Sequence, residues 1–246
     1  MKILSIGNSF SEDAHVYLHA LAMQRGIDLQ TANAAIGGCS LQMHYDNIVN
    51  GSAKYLHNIN GGEEWEKDLA SLEQILKSDT FDAVTLQQVS GYSGEYESYQ
   101  PYLDNIISYV RKHQPSARLY LHRTWAYEID SQHGDFPRYG SNQEQMLQAI
   151  RKATKQISEE TGTTLILTGD VIQELREGVA RFDYKNGGES LCRDGFHLSP
   201  YGRYAAALTW LATLTEKPAT PMGFMDFDIN VINEICKAVN KIVFGK

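Results

Sequence analysis

An α/β fold, with a parallel sheet covered by helices on both faces, is the class this sequence predicts. Three observations predict it. Short apolar, β-branched runs alternate with longer amphipathic stretches from end to end. No repeat, low-complexity tract or Pro/Ser-rich linker interrupts that alternation. Strand–helix–strand succession needs crossover connections, which make neighbouring strands parallel and lay helices on the sheet. The 246 residues read as one domain, 1–246, long enough to bury a sizeable core.

Residues 2–6 read as the first strand, and 13–25 as a helix with Ser11 at its N-cap. Residues 28–34 form the second strand, followed by Gly37-Gly38. The polar, Gly/Asn-rich stretch 47–62 reads as a long surface loop, and 64–77 as a helix ending near Ser78-Asp79. The third strand is 81–87. A helix at 99–113 is closed by Pro115, and 118–122 is the fourth strand. A second long loop spans 127–141. The helix 143–161 has Gly162 where a C-cap glycine belongs, and 163–168 is the fifth strand. Helices at 201–215 and 230–243 finish the chain, the last with Ile232, Ile235, Val239 and Ile242 on one stripe.

Composition excludes several function classes. Hydrophobic residues make up 42% and charged residues 21%, as in ordinary soluble domains. A formal charge of -8 argues against a nucleic-acid or anionic-membrane surface, which needs clustered Lys and Arg. No apolar run approaches the roughly 18 residues of a membrane span. Cys39, Cys192 and Cys236 are few, odd in number and widely spaced, which reads as free thiols in a reducing compartment. Strand-like residues begin at Lys2 with no leader ahead of them, so the expected setting is the cytoplasm, or a secreted or periplasmic one if a leader has been removed. There is no GxGxxG or GxxxxGK[ST] for a nucleotide cofactor, and no HExxH or paired CxxC for a metal, so none is expected. There is also no GxSxG elbow.

Two short motifs carry the chemistry. Gly7-Asn8-Ser9-Phe10-Ser11 follows the first strand and opens a helix. Gly7 suits a tight turn, and a serine there has free backbone N–H groups beside its hydroxyl. Such a serine can be a plain N-cap, but Ser11 is the better-placed cap, which leaves Ser9 for another role. Asp194-Gly195-Phe196-His197 supplies an acid and an imidazole three residues apart. A neutral imidazole takes a serine proton, and a carboxylate sets its tautomer and stabilises the imidazolium. Asp194 can also cap the helix that starts near Ser199-Pro200. Together with Ser9 the pair completes a Ser-His-Asp set. Ligand sites in open parallel sheets lie beyond the carboxyl ends of the strands. Ser9, Gly38 and Gln88 all follow such ends. Gly38 is the second candidate oxyanion donor, through its N–H. A side-chain amide from Gln87 or Gln88 is a third, with Gln88 favoured because it shares facing with Leu86 and Val84. The aromatics after the third and fourth strands, Tyr92, Tyr96, Tyr99, Trp125 and Tyr127, read as a pocket rim, with Gln87, Tyr92, Trp125 and Tyr127 as substrate contacts. His122 and His133 could line the same pocket.

With these residues in hand, the chain resembles the SGNH (GDSL-type) hydrolase superfamily, as a divergent bacterial subgroup. The first block is Gly7-Asn8-Ser9-Phe10-Ser11, the second is the stretch ending in Gly37-Gly38-Cys39-Ser40, and the last is Asp194-Gly195-Phe196-His197. Two departures stand out. Asn8 occupies a position that is usually Asp. The GxND third block is missing, its place taken by Leu86-Gln87-Gln88-Val89-Ser90-Gly91. The resemblance implies a three-layer α/β/α, flavodoxin-like sandwich whose five parallel strands run in the order 2-1-3-4-5. It implies Ser9 as nucleophile, His197 as base and Asp194 as its orienter, with the N–H groups of Ser9 and Gly38 as oxyanion donors and no cofactor. The expected activity is hydrolysis of a small, acetyl-like acyl ester, on a carbohydrate or another small molecule, lost in acid as His197 protonates. The alternative is a catalytically weakened module of the same fold that binds a glycan or acylated ligand.

Overall fold

The computed structural model describes residues 1–61 and 68–246. The chain runs β1 (Lys2–Gly7), α1 (Ser9–His15), α2 (Leu18–Gln24), β2 (Gln30–Ala35), α3 (Leu41–Val49), β3 (Leu56–Ile59), α4 (Leu72–Ser78), β4 (Ala83–Leu86), α5 (Tyr102–His113), β5 (Arg118–His122), α6 (Gln143–Thr161), β6 (Thr164–Ile166), α7 (Thr168–Gly178), α8 (Pro200–Thr215) and α9 (Ile229–Phe244).

The sheet has six strands in the order β3-β2-β1-β4-β5-β6. Five of them are parallel, and they keep the expected order 2-1-3-4-5 once the added strand is discounted. The sixth strand corrects the expectation. β3 pairs antiparallel with β2 at the sheet edge, with Leu56 opposite Ala35 and Ile59 opposite Ala32, inside the stretch expected to be a loop. Four residues at an edge, with Leu56 and Ile59 exposed, give too weak a pattern to stand out in the sequence.

Side chains alternate across the sheet and divide the core in two. Ile3, Ala83 and Tyr120 face a layer with α1, α2, α7, α8 and α9. Leu4, Ile6, Val84, Leu86, Leu119 and Leu121 face α4 and α5. Helix α6 serves both layers, through Met146, Leu147 and Ile150 on one side and Ala153 and Ile157 on the other. This is the three-layer α/β/α arrangement.

Several elements differ from expectation in physically simple ways. The helix expected at 13–25 is two helices broken at Val16–Tyr17. It begins earlier because Asn8 is the cap: its side chain accepts the Phe10 N–H. Ser11 lies inside α1, with its hydroxyl 2.8 Å from the Asn8 carbonyl oxygen and 2.9 Å from Asn33 Oδ1. The expected helix 64–77 is helical only over α4, where Ser71 and Gln74 form a reciprocal capping box; residues 64–67 lie outside the described region. Helices α3 and α7 were not expected. By contrast α6 has the expected bounds, and Gly162 caps it at φ 67°. All three cysteines are free and buried. No described helix is long and apolar enough to cross a membrane. Among the described residues no group of three or more His, Cys, Asp or Glu is gathered that could hold a metal ion.

The layer containing α8 holds a polar thread. Thr85 Oγ1 donates to Ser5 Oγ at 2.7 Å, and Ser5 Oγ lies 2.6 Å from His15 Nε2, whose ring stands edge-on to Trp210. Burial holds His15 and His122 neutral, lowering both to about 3, and lowers His44 to about 4 beside the Tyr55 hydroxyl. These groups gain protons only on unfolding. The unfolded chain therefore binds more protons as pH falls below the ordinary histidine value, and stability falls with it until the folded values are reached. The expected result is a urea-unfolding free energy that declines between pH ~6.5 and ~4 by up to about 1.4 kcal/mol per pH unit for each of the three histidines. A flat stability profile over that range would contradict their neutral burial.

Candidate active site

The two sequence motifs meet in space. Ser9 is the first residue of α1, at the carboxyl end of β1. Its hydroxyl lies 2.9 Å from His197 Nε2, and His197 Nδ1 lies 2.7 Å from Asp194 Oδ2. With Nδ1–H donating to the carboxylate, the Nε2 lone pair faces the serine, the tautomer a general base needs. Asp194 Oδ1 also accepts the backbone N–H groups of Phe196 at 3.1 Å and His197 at 2.7 Å. Burial pushes the Asp194 carboxyl up, but the imidazole and these N–H donors outweigh it and hold it below the usual aspartate value.

The turn before Ser9 is built by contact and by hydrogen bonds. A Cβ at Gly7 would lie 2.6 Å from Ser11 Oγ and 3.1 Å from Gln87, so glycine is needed for space, not for a left-handed backbone. Asn8, almost fully buried, uses both ends of its amide. Its oxygen accepts from Phe10 N–H at 3.0 Å and from Gln87 Nε2 at 2.7 Å, and its nitrogen donates to the Cys39 carbonyl at 3.1 Å. That last bond ties the Gly37-Gly38 turn to the serine turn. Gly38 is exposed at φ +64°, a left-handed conformation glycine tolerates, with open space where a Cβ would stand. Its N–H and that of Ser9 have no acceptor among the described residues.

The glutamines do not behave as expected. Gln88 spends its amide on the Ser98 carbonyl at 2.8 Å and the Ser98 hydroxyl at 3.0 Å, while its oxygen accepts from Leu41 and Val89 N–H. It braces loops rather than offering a donor to the site. Gln87 donates to Asn8 and accepts from His122 Nδ1 at 2.9 Å, so it lies beneath the turn and not against a substrate. The aromatic rim also needs correction. Trp125 is fully buried, stacked on Phe10 at 4.2 Å, with its indole N–H donating to the Phe196 carbonyl. Tyr127 is fully buried and bonded to Ser90. Tyr99 is buried, Tyr96 reaches Glu160, and Tyr92 lies under the Arg138 guanidinium. The rings that abut His197 are Phe196 at 4.3 Å and Phe10 at 5.9 Å.

A further residue anchors the site. Asp13 is 1% exposed on α1, one turn beyond Ser9. It accepts from Arg193 Nη1 at 2.9 Å, Arg203 Nε at 2.8 Å and the Leu198 N–H at 2.7 Å. It thus grips both ends of the segment that carries Asp194 and His197. The signal for it was its i, i+4 spacing from Ser9, which puts both on one helix face, together with arginines flanking the Asp-x-x-His motif. On the outer side of that segment, Glu128 pairs with Arg176 at 3.3 Å in a buried ion pair, accepts from Ser190 Oγ, and donates its N–H to the Gly195 carbonyl at 2.7 Å.

Residues 2–236 match the family described as "Domain of unknown function (DUF4886)". A DUF4886 protein from Bacteroides uniformis is similar at 34% identity and a TM-score of 0.91, covering 100% of this chain and 95% of that one. A protein from Slackia heliotrinireducens, whose description proposes an SGNH hydrolase, is similar at 20% identity and a TM-score of 0.57, covering 87% of this chain and 98% of that one. A catalytic mutant of an acetylxylan esterase from Geobacillus stearothermophilus is similar at 15% identity and a TM-score of 0.53, covering 85% and 92%. These last two share the fold. No curated protein matches the chain.

Two substitutions test the scaffolding. Asp13→Asn leaves buried donors facing an amide, and is expected to lower the unfolding free energy by about 2–3 kcal/mol and to slow fluorophosphonate labelling of Ser9 at least tenfold, read by urea melts and mass spectrometry. Asn8→Asp places a carboxylate oxygen against the Cys39 carbonyl in place of a donor. A loss of about 1–3 kcal/mol in the same melts is expected.

Proposed function

The chain belongs to the DUF4886 family, and we propose that it is a serine esterase that hydrolyses a small, acetyl-like acyl ester carried on a carbohydrate or another small polar alcohol. The observation that carries this reading is the continuous hydrogen-bonded line Ser9–His197–Asp194, at 2.9 and 2.7 Å, on the carboxyl edge of the sheet. Ser9 Oγ attacks the ester carbonyl while His197 Nε2 takes its proton, and the Asp194 carboxylate stabilises the resulting imidazolium. The N–H groups of Ser9 and Gly38 receive the oxyanion. His197 then protonates the departing alcohol, and water enters by the same route to release the acid. The SGNH-type fold shared with an acetylxylan esterase makes an acetyl ester the first substrate to try.

One observation favours a second reading. Both glutamine amides are occupied, so neither serves as a side-chain donor for the oxyanion, and losing one such donor typically costs about 10²–10³ in rate. A weakened module that binds a glycan or acylated ligand would fit that loss.

The deciding experiment is hydrolysis of p-nitrophenyl acetate, butyrate and octanoate by the wild type and Ser9→Ala, together with fluorophosphonate labelling. Turnover above background that vanishes in Ser9→Ala, fastest on acetate, is the expected result. Background rates in both proteins and no label at Ser9 would favour the binding module.

A further inference from the structure

We propose, building on the esterase reading, that His133 is a specificity residue whose Nε2–H donates a hydrogen bond to a neutral oxygen, hydroxyl or ring ether, on the alcohol part of the ester. Four observations carry it. The Asp135 backbone N–H donates to His133 Nδ1 at 3.1 Å, so a neutral ring carries its hydrogen on Nε2. That Nε2 has no partner among the described residues and is not enclosed by them, and a quarter of the side chain is exposed. The ring stands edge-on to Phe196 at 4.7 Å, and Phe196 itself abuts His197 at 4.3 Å, so His133 lies one ring away from the base. Beneath, the ring packs on buried Tyr127 at 4.5 Å, and its loop is braced by Arg138 on Asp135 at 2.8 Å, so the donor is held before any ligand arrives.

Topology decides which part of the ester it meets. Gly38 follows β2 and His133 follows β5, on opposite sides of the β1 turn that bears Ser9. The carbonyl oxygen belongs on the Gly38 side. The alcohol belongs on the side of His197, which must protonate it, and His133 stands beyond His197 across Phe196. Burial lowers the imidazole below its ordinary range, against the pull of Asp135, which keeps it a neutral donor. Such a donor recognises neutral oxygens, and the partly exposed Phe196 ring beside it offers an apolar face to the C–H side of a pyranose.

The test compares the wild type, His133→Phe and His133→Gln on p-nitrophenyl acetate and on a methyl xyloside bearing one O-acetyl group. Phenylalanine keeps the packing and removes the N–H; glutamine returns a donor near the Nε2 position. The ratio of kcat/KM for the acetylated xyloside to that for p-nitrophenyl acetate is expected to fall about tenfold in His133→Phe, the scale of one neutral hydrogen bond, and to recover at least in part in His133→Gln. A ratio that moves less than about twofold, or no recovery with glutamine, overturns the proposal. Calorimetry of Ser9→Ala and Ser9→Ala/His133→Phe with the same xyloside reads the contact without turnover. Binding about tenfold weaker in the double variant supports the proposal, and equal or absent binding in both overturns it. Failure of the wild type to hydrolyse either ester would count against the esterase reading, while the calorimetric comparison would still decide the His133 contact.

Discussion

The site depends on a buried chain of hydrogen bonds that runs in one direction beneath the serine turn. Thr168 Oγ1 donates to His122 Nε2, His122 Nδ1–H donates to Gln87 Oε1, Gln87 Nε2 donates to Asn8 Oδ1, and Asn8 Nδ2 donates to the Cys39 carbonyl. Each link fixes the orientation of the next, because an amide or imidazole that donates at one end must accept at the other. Full burial keeps His122 neutral, which leaves its Nε2 to accept from Thr168. It joins the start of α7, the ends of β5 and β4, the turn after β1 and the turn after β2. Those are the strand ends from which the site is built.

The other half of the site is held by charge. Asp13 projects from the helix that begins with Ser9 and grips the segment bearing Asp194 and His197, about 180 residues away in sequence. Ser9 and Asp13 therefore share one short helix, and a shift of His197 relative to Ser9 would have to break several charge-assisted bonds at once. Glu128 and Arg176 brace the same segment from outside. A neutral network fixes the turns that carry Ser9 and Gly38, and ionic contacts fix the segment that carries His197.

Much of this was legible in the sequence where a local pattern and its global role agree. Helix α6 was readable to the residue because an amphipathic period ends in a C-cap glycine, and Gly7-Asn8-Ser9 and Asp194-x-x-His197 were readable because their chemistry is compact in sequence. The rest was hidden by tertiary context. β3 is a four-residue edge whose partner strand alone defines it. Ser11 and Asn8 are equally good caps by type, and only packing against Asn33 and Cys39 decides between them. The aromatics misled because a tyrosine or tryptophan after a strand reads the same whether it faces a ligand or, as Trp125 and Tyr127 do, fills the space under the loop.

Asn8 and Gln87 are linked by geometry. A carboxylate at 8 could accept from Phe10 and Gln87 but could not donate to the Cys39 carbonyl; an amide does all three. Gln87, just after β4, donates to the Asn8 oxygen beside the Phe10 N–H. The Gln87 amide is thus turned inward to hold the turn, and the donors proposed for the oxyanion are the backbone N–H groups of Ser9 and Gly38. Backbone N–H groups depend on the placement of their turns, and here that placement rests on Asn8 for both Ser9 and Gly38. Asn8 thus locates both backbone N–H groups through one buried amide, and Gln87 holds that amide in place.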